Sequence, residues 1–280
     1  MEVRKFFTAV VVFSIFSISI LGAQIDPPEV EWKKVFPGGH GNSVQQTTDG
    51  GYIITGSTYS DTNWLDVYLI KTDAKGNEMW SKKFGDKYFD VGYSVQQTSD
   101  GGYIITGATE SPSATGQYIY LLKTNANGQK VWSKAFEGLY GRSVQQTHDG
   151  GYSIAGFTWN FGAGICLIKT DAMGNKSWYK IFHPSIAGPC QHQHTTDNEY
   201  IVIGTALFLD HDNDVYLIKT DTNGNKLWWK AYGGEKEDNG YSVQQTTDGG
   251  YILAGDTRSF GEYGIYLIKT DGDGNTVWSK

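Results

Sequence analysis

A unit of about 50 residues written five times, short strand-like runs parted by glycine turns, and a tryptophan at the same place in every unit together predict an all-β chain. The expected architecture is a β-propeller of four-stranded blades, five in number, with an N-terminal strand closing the ring. The string SVQQTTDGGYIITG begins at Ser43 and returns as SVQQTSDGGYIITG from Ser94 and as SVQQTTDGGYILAG from Ser242. Aligned on it, units begin near Gly41, Gly92, Gly141, Gly188 and Gly240. They end at Trp80, Trp132, Trp178, Trp228 and Trp278, a spacing of 52, 46, 50 and 50 residues. Helical repeats would place apolar residues three and four apart, whereas these runs are β-rich and broken by Asp, Gly and Asn.

Ahead of the repeats, MEVRK, the apolar run FFTAVVVFSIFSISILG and Ala23 follow the basic, hydrophobic, small-residue order of a secretory signal peptide. Residues 1–23 are expected to be removed and 24–280 to form one propeller domain, secreted to the extracellular space or periplasm. The run is short of the roughly 20 apolar residues that a span requires, so no membrane span is expected in the mature chain. Losing Glu2, Arg4 and Lys5 leaves 21 basic against 29 acidic residues, a net charge of -8. That balance argues against nucleic acid as a partner.

Within a unit, strand A is SVQQT, and the turn TDGG leads to strand B, YIITGST in the first copy. After a loop of variable length come strand C, VYLIKT, the turn DAKGN and strand D, EMWSKKF. Strand C is apolar on both faces, with Tyr68 and Ile70 toward one neighbouring blade and Val67 and Leu69 toward the other. Lys34, Lys82, Lys134, Lys180, Lys230 and Lys280 each follow a Trp by two residues, and Lys on an edge strand discourages pairing between molecules. Strand D is therefore outermost and strand A lines the axis. Residues 30–36, VEWKKVF, carry the strand D pattern ahead of the first strand A. They are expected to pair with strand C of the last unit, IYLIKT from Ile265, although TVWSK at the C-terminus competes for that place.

The turn DxxGN resembles the opening of a calcium loop in its last copy, Asp271 to Asn275. Lys75 and Met173 hold a ligand position in sister copies, so a hairpin with a left-handed glycine explains the whole set. Asp49, Asp100, Asp149, Asp197 and Asp248 recur with Lys71, Lys123, Lys169, Lys219 and Lys269 at the same end of the blade. A repeated structural ion pair follows.

The pattern DVYLIKTDxxGNxxWxKxFGG…GYSVQQTxDGGYIITGxT resembles the secreted bacterial and archaeal β-propeller repeat proteins over residues 29–280. Weaker similarity reaches the NHL-type repeat and the docking motif of quinoprotein propellers. The resemblance implies an exported or surface propeller, specifies no activity, and implies no quinone chemistry or other cofactor.

Chemistry is sparse in the repeat itself. A glycoside hydrolase built on five blades needs two or three carboxylates converging from different strands on one sugar. Strand A instead supplies Gln45, Gln46, Gln96, Gln97, Gln145, Gln146, Gln244 and Gln245, which hydrogen-bond but cannot act as general acid or base. The sequence thus leans away from an enzyme, and no catalytic residue is assigned. Cys166 and Cys190 stand where sisters carry Tyr; a disulfide or two buried free thiols remain open. The fourth unit departs with His192 and His194, two apart on one strand face, and with Asp210, Asp212 and Asp214 in its B–C loop. These are weak metal candidates beside a structural reading of a degenerate repeat.

Connections B–C and D–A vary while A–B and C–D do not, so function belongs on the variable end. The candidate ligand-binding residues there are Trp64, Tyr59, Asp61, Asn63, Tyr88, Phe89, Trp159, Phe161 and Tyr263, aromatic platforms among polar groups. Trp64, with Asp61, Asn63 and Asp66 nearby, is the favoured platform. The expected role is a non-catalytic binding module for an extracellular polysaccharide or a cell-envelope protein. A passive structural propeller and an exported glycoside hydrolase are the alternatives.

Overall fold

In the computed structural model, which describes residues 30–60, 64–86, 88–110, 116–159, 163–182, 190–207 and 212–280, each repeat folds as one four-stranded antiparallel sheet. Blade 1 is β1 (Gly39–Gln46), β2 (Tyr52–Tyr59), β3 (Leu65–Thr72) and β4 (Glu78–Phe84). Blade 2 is β5 (Asp90–Gln97), β6 (Tyr103–Glu110), β7 (Gln117–Thr124) and β8 (Lys130–Glu137). Blade 3 is β9 (Tyr140–Gln146), β10 (Tyr152–Thr158), β11 (Gly164–Thr170) and β12 (Lys176–Phe182). Blade 4 is β13 (Gln191–His194), β14 (Tyr200–Leu207), β15 (Asn213–Thr220) and β16 (Lys226–Tyr232). Blade 5 is β17 (Asp238–Gln245), β18 (Tyr251–Thr257), β19 (Gly264–Thr270) and β20 (Thr276–Ser279). Among the described residues no helix is long and apolar enough to cross a membrane.

The invariant turns explain themselves. In the A–B turn Asp49 accepts hydrogen bonds from Gly51 N at 3.0 Å and from Thr47 Oγ1 at 2.6 Å. Lys71, itself buried, reaches the same carboxylate at 2.9 Å and donates to Thr72 O at 2.7 Å. All five expected Asp–Lys pairs form, at 2.8 to 3.2 Å. In the C–D turn Asp73 Oδ1 accepts from the backbone of Lys75 and Asn77, and Gly76 sits at φ +73°. The DxxGN spelling is thus a hairpin requirement.

Blades meet through apolar faces. Ile53, Val67 and Leu69 of blade 1, all fully buried, pack on Val95, Tyr103, Ile105 and Leu122 of blade 2. Trp80 meets Tyr103 edge-on at 5.9 Å and lies over Gly128, where a Cβ would come within 2.6 Å of the indole. The same Trp, Tyr and Gly joint recurs at each following junction, with Trp132, Trp178 and Trp228. The strand D lysines do more than guard an edge: Lys134, Lys180 and Lys230 donate to Asn175, Asn225 and Asn275 in the next blade at 3.0 to 3.2 Å.

The expected pairing of residues 30–36 with β19 does not form. β20 holds that edge, with Trp278 opposite Lys269, and Leu267 and Lys280 exchange two backbone hydrogen bonds at 2.9 Å each. A hairpin neighbour reaches the edge through the short C–D turn, at a small loop-closure cost. Residues 30–36 lie instead on blade 1, where Trp32 meets Tyr52 at 5.7 Å and covers Gly76, and Lys34 donates to Asn77 at 2.9 Å. Val44 of blade 1 and Ile265 of blade 5 stay 63 % and 79 % exposed, while their counterparts Val95 and Val67 are buried.

Candidate functional site at the axial mouth

The glutamines of strand A join blades. Gln45 Oε1 accepts from Gln97 N at 2.6 Å, and Gln97 Oε1 accepts from Thr48 N at 2.8 Å, so each side chain crosses to the neighbouring axial strand. Gln96 to Gln146, Gln146 to Ser99, Gln145 to His194, Gln193 to Gln245 and Gln245 to Thr196 repeat the stitch. The axis wall therefore spends its amides on itself.

One position escapes this use. The register of β1, β5, β9 and β17 skips a residue, leaving Asn42, Tyr93, Arg142 and Tyr241 as bulges between paired neighbours. A bulge re-aims its side chain and leaves the ladder intact on either side. It is the one letter that changes within GNSVQQ, GYSVQQ, GRSVQQ and GYSVQQ, and that variation was the available signal. The bulges sit toward the variable-loop end of the axial strands. Asn42 donates to Gly92 O at 2.9 Å. The Arg142 guanidinium stacks 4.2 Å from the Tyr93 ring centre and 5.0 Å from that of Tyr140, two rings that meet edge-on.

Blade 5 carries the richest cluster. Asp256 stands where sister blades have Ser57, Ala108, Phe157 and Thr205. Its Oδ1 accepts from Asn239 Nδ2 at 3.0 Å, and its Oδ2 accepts from the Tyr241 hydroxyl and from the Tyr263 hydroxyl at 3.2 Å. Arg258 pairs with Glu237 at 3.5 Å and lies over the Tyr263 ring at 5.5 Å. Burial works to raise the Asp256 carboxyl, but the Tyr241, Asn239 and Tyr263 hydrogen bonds and the Arg258 charge outweigh it and hold it below its ordinary value. The result is an ionised carboxylate fixed between two tyrosines, with Tyr263 66 % exposed.

Other expected residues are scattered around the same end. Trp64 is 49 % exposed, and its carbonyl accepts from Ser60 N at 2.7 Å. Asp66, expected beside it, is buried against Gly85 instead. Tyr59 is exposed, and its carbonyl accepts from Lys83 Nζ at 3.2 Å. Tyr88 and Phe89 are half-buried, and Phe89 O accepts from Glu110 N at 2.9 Å. Trp159 is 58 % exposed yet rests edge-on against Phe157 at 5.4 Å, the geometry of a loop anchor. Asp61, Asn63, Phe161 and Asp210 lie outside the described residues.

The fourth-unit departures form no metal centre among the described residues, where no three His, Cys, Asp or Glu side chains come together. Asp212 is exposed, while Asp214 is buried against Gly233. Both imidazoles share one hydroxyl: Ser153 Oγ lies 2.7 Å from His192 Nε2 and 2.8 Å from His194 Nε2. Ser153 replaces the Ile of sister blades as His192 replaces their Val, a matched polar exchange inside the blade 3 to blade 4 junction. Burial, with His194 adding repulsion, lowers His192 to about 3, and burial lowers His194 to about 4. Cys166 and Cys190 are free, buried thiols, and burial pushes Cys166 up to about 12.

No family model and no curated protein matches the chain. Among solved structures it is similar to a protein of unknown function from Dyadobacter fermentans DSM 18053, at 13 % identity and TM-score 0.51, over 84 % of this chain and 80 % of that one. It is less similar to an α-L-arabinofuranosidase from Clostridium thermocellum ATCC 27405, at 11 % identity and TM-score 0.45, covering 86 % and 93 % of the two chains. A GH43 β-xylosidase/α-arabinofuranosidase from a compost microbial metagenome gives 12 % identity and TM-score 0.44, over 85 % and 92 %. At these identities the likeness concerns the fold: five sheets of four antiparallel strands in a β-propeller.

Proposed function

We propose that this chain is an exported, non-catalytic binding propeller that takes an extracellular polysaccharide at the blade 5 mouth. The observation that carries the reading is the Asp256 cluster, which the repeat does not require and which no sister blade shares. A fixed carboxylate and the Asn239 amide suit vicinal hydroxyls, and the exposed Tyr263 ring suits the apolar face of a sugar. A glycosidase would need one carboxyl held protonated beside a second carboxylate. Asp256 is held ionised, the state a hydroxyl-binding carboxylate needs.

The test is a retention screen of residues 24–280 on insoluble and immobilised polysaccharides, with Tyr263→Ala, Asp256→Asn and Trp64→Ala beside the parent. Tyr263→Ala should weaken binding by about 1–3 kcal/mol, the scale of lost ring stacking, with little change in melting. Trp64→Ala in the same screen tells whether the blade 1 loop belongs to the site. If the parent is retained by no polysaccharide the reading fails, and release of free sugar would favour the hydrolase alternative. Export is tested separately, by N-terminal sequencing of the protein recovered outside the cytoplasm, with cleavage expected after Ala23.

A further inference from the structure

We propose that blades 1 and 5 carry the two halves of one head-to-tail interface, through which a second copy of this chain docks its blade 5 onto blade 1. The occupant is read from the four junctions inside the chain, where the same pair of faces already meets.

Each junction is written in matching letters. The leaving face offers one strand B residue and two strand C residues: Ile53, Val67 and Leu69 in blade 1, Ile104, Ile119 and Leu121 in blade 2, and Ile201, Val215 and Leu217 in blade 4. All nine are buried, and blade 3 differs only in Ser153. The receiving face offers a strand A valine, a strand B tyrosine and the aliphatic residue two places on, as in Val95, Tyr103 and Ile105 of blade 2 or Val243, Tyr251 and Leu253 of blade 5, again all buried.

Blade 5 repeats the leaving letters as Ile252, Ile265 and Leu267, and blade 1 repeats the receiving letters as Val44, Tyr52 and Ile54. None of these six is covered as its sisters are: Ile265 and Val44 are exposed and the other four are half-buried. A single exposed aliphatic side chain is ordinary. Two faces that are buried at every internal junction are instead the two sides of a contact that one chain leaves unmade. A cleft of about 600 Å³ lies over the receiving face, with Trp32, Lys34 and Phe36 on one side and Val44, Tyr52 and Ile54 on the other. It offers room for the strand B and strand C side chains of an arriving blade.

The axial hydrogen bonds stop at the same place. At the internal junctions Gln45 accepts from Gln97 N, Gln96 from Gln146 N, Gln145 from His194 N and Gln193 from Gln245 N, at 2.6 to 2.9 Å. Gln244, the same position in blade 5, makes no such bond among the described residues. Gln46 of blade 1 turns back on its own hairpin and donates to Gly50 O at 3.4 Å. Docking gives Gln244 the Gln46 backbone N–H.

At the rim Trp278 and Lys280 hold the strand D places whose sisters cover the glycine and reach the asparagine of the next blade. In the single chain Trp32 lies over Gly76 and Lys34 reaches Asn77, from a segment that pairs with no strand. In the docked pair Trp278 and Lys280 of the second copy take both places. Because leaving and receiving faces differ, the contact is heterologous, and each copy keeps one free half for the next.

The test is sedimentation velocity with light scattering on residues 24–280 across roughly 1–100 µM, beside Val44→Lys and Ile265→Lys. Both side chains are exposed in the single chain, so neither substitution should lower the melting temperature. The parent should grow from one chain to multiples of it as concentration rises. Each Lys variant should associate at least about tenfold more weakly, since the charge would be buried against an apolar face. Mixed in equal amounts, the two variants should form one-to-one pairs and nothing larger, because one keeps a sound blade 5 and the other a sound blade 1. A parent that stays monomeric throughout would overturn the proposal; a fall in melting on Ile265→Lys would then assign the two faces to each other within one chain, and unchanged melting would assign them to a different protein. A dimer that either substitution leaves intact would overturn it as well, by placing the contact elsewhere or making it symmetric.

Discussion

Replacing His192 by Val together with Ser153 by Ile, the pair found at sister junctions, should make the chain markedly less sensitive to mild acid. In the parent His192 is fully buried and stays neutral down to about pH 3, against 6.5 for an exposed imidazole. Its folded value lies below its unfolded one, so the stability it supports is complete above pH 6.5 and drains away as the pH falls toward the folded value. The drain is about 1.4 kcal/mol per pH unit, which amounts to roughly 2 kcal/mol by pH 5. His194, lowered to about 4 chiefly by burial, adds a loss of similar size by pH 5 that the variant retains. Asp90 works in the other direction below about pH 6, equally in both proteins, so it cancels from the comparison. At pH 7.5 the variant should lie within about 1–2 kcal/mol of the parent, since it removes the unpaired buried His192 Nδ1 but also takes the Ser153 hydroxyl from His194 Nε2. Urea unfolding at pH 7.5 and pH 5 measures both quantities. Equal losses of stability in parent and variant would show that His192 does not stay neutral in the folded chain.

Three further outcomes are expected. Gly128→Ala forces a side chain into a φ of +72° beneath the Trp80 ring and should cost at least about 1–2 kcal/mol, with a change in tryptophan emission; unchanged melting would mean that the joint is loose. Gln97→Leu removes the acceptor for Thr48 N and should cost about 1 kcal/mol in urea unfolding, and a neutral result would remove the interblade role assigned to these glutamines. Trp32→Ala should speed amide exchange in β2 and β3 of blade 1 and leave β19 unchanged, since the indole rests on Tyr52 and Gly76; faster exchange in β19 instead would restore the expected ring closure.

Much of the architecture was legible because the chain repeats it. Gly and Asp recur wherever a turn demands them, and Asp49 with Lys71 shows that two residues kept in five copies are partners within a blade. The N-terminal segment was misplaced for a physical reason: its strand D spelling records the Trp32 to Gly76 joint, which belongs to the following blade, and says nothing about which strand it pairs with. The glutamines could be read only as hydrogen-bonding groups because a repeat reveals what is needed without saying whether the partner is in the same blade or the next. The blade 5 cluster was only partly visible. Tyr263 stood out as a loop aromatic, but Asp256 lies inside strand β18 and Asn239 and Tyr241 inside β17, and only a bulge brings Tyr241 to it. Where B–C loops fall outside the described residues, as with Asp61 and Asn63, the expectation rests on sequence alone.

Near-identical blades pose a problem of address. A chain whose segments all fit one another can collapse with blade 1 seated on blade 3, a characteristic hazard of repeat proteins. The Trp, Tyr and Gly joint gives no protection, since it is the same at every junction. The departures do. Asp66, beside Gly85 at the end of its own blade, faces an Asp only in a blade that begins as blade 2 or blade 5 does, and the Ser153 hydroxyl finds its two imidazoles only on blade 4. The irregular letters in this sequence therefore serve as keys that sort interchangeable parts into one order, and blade-swapped chimaeras should assemble only where the keys still match.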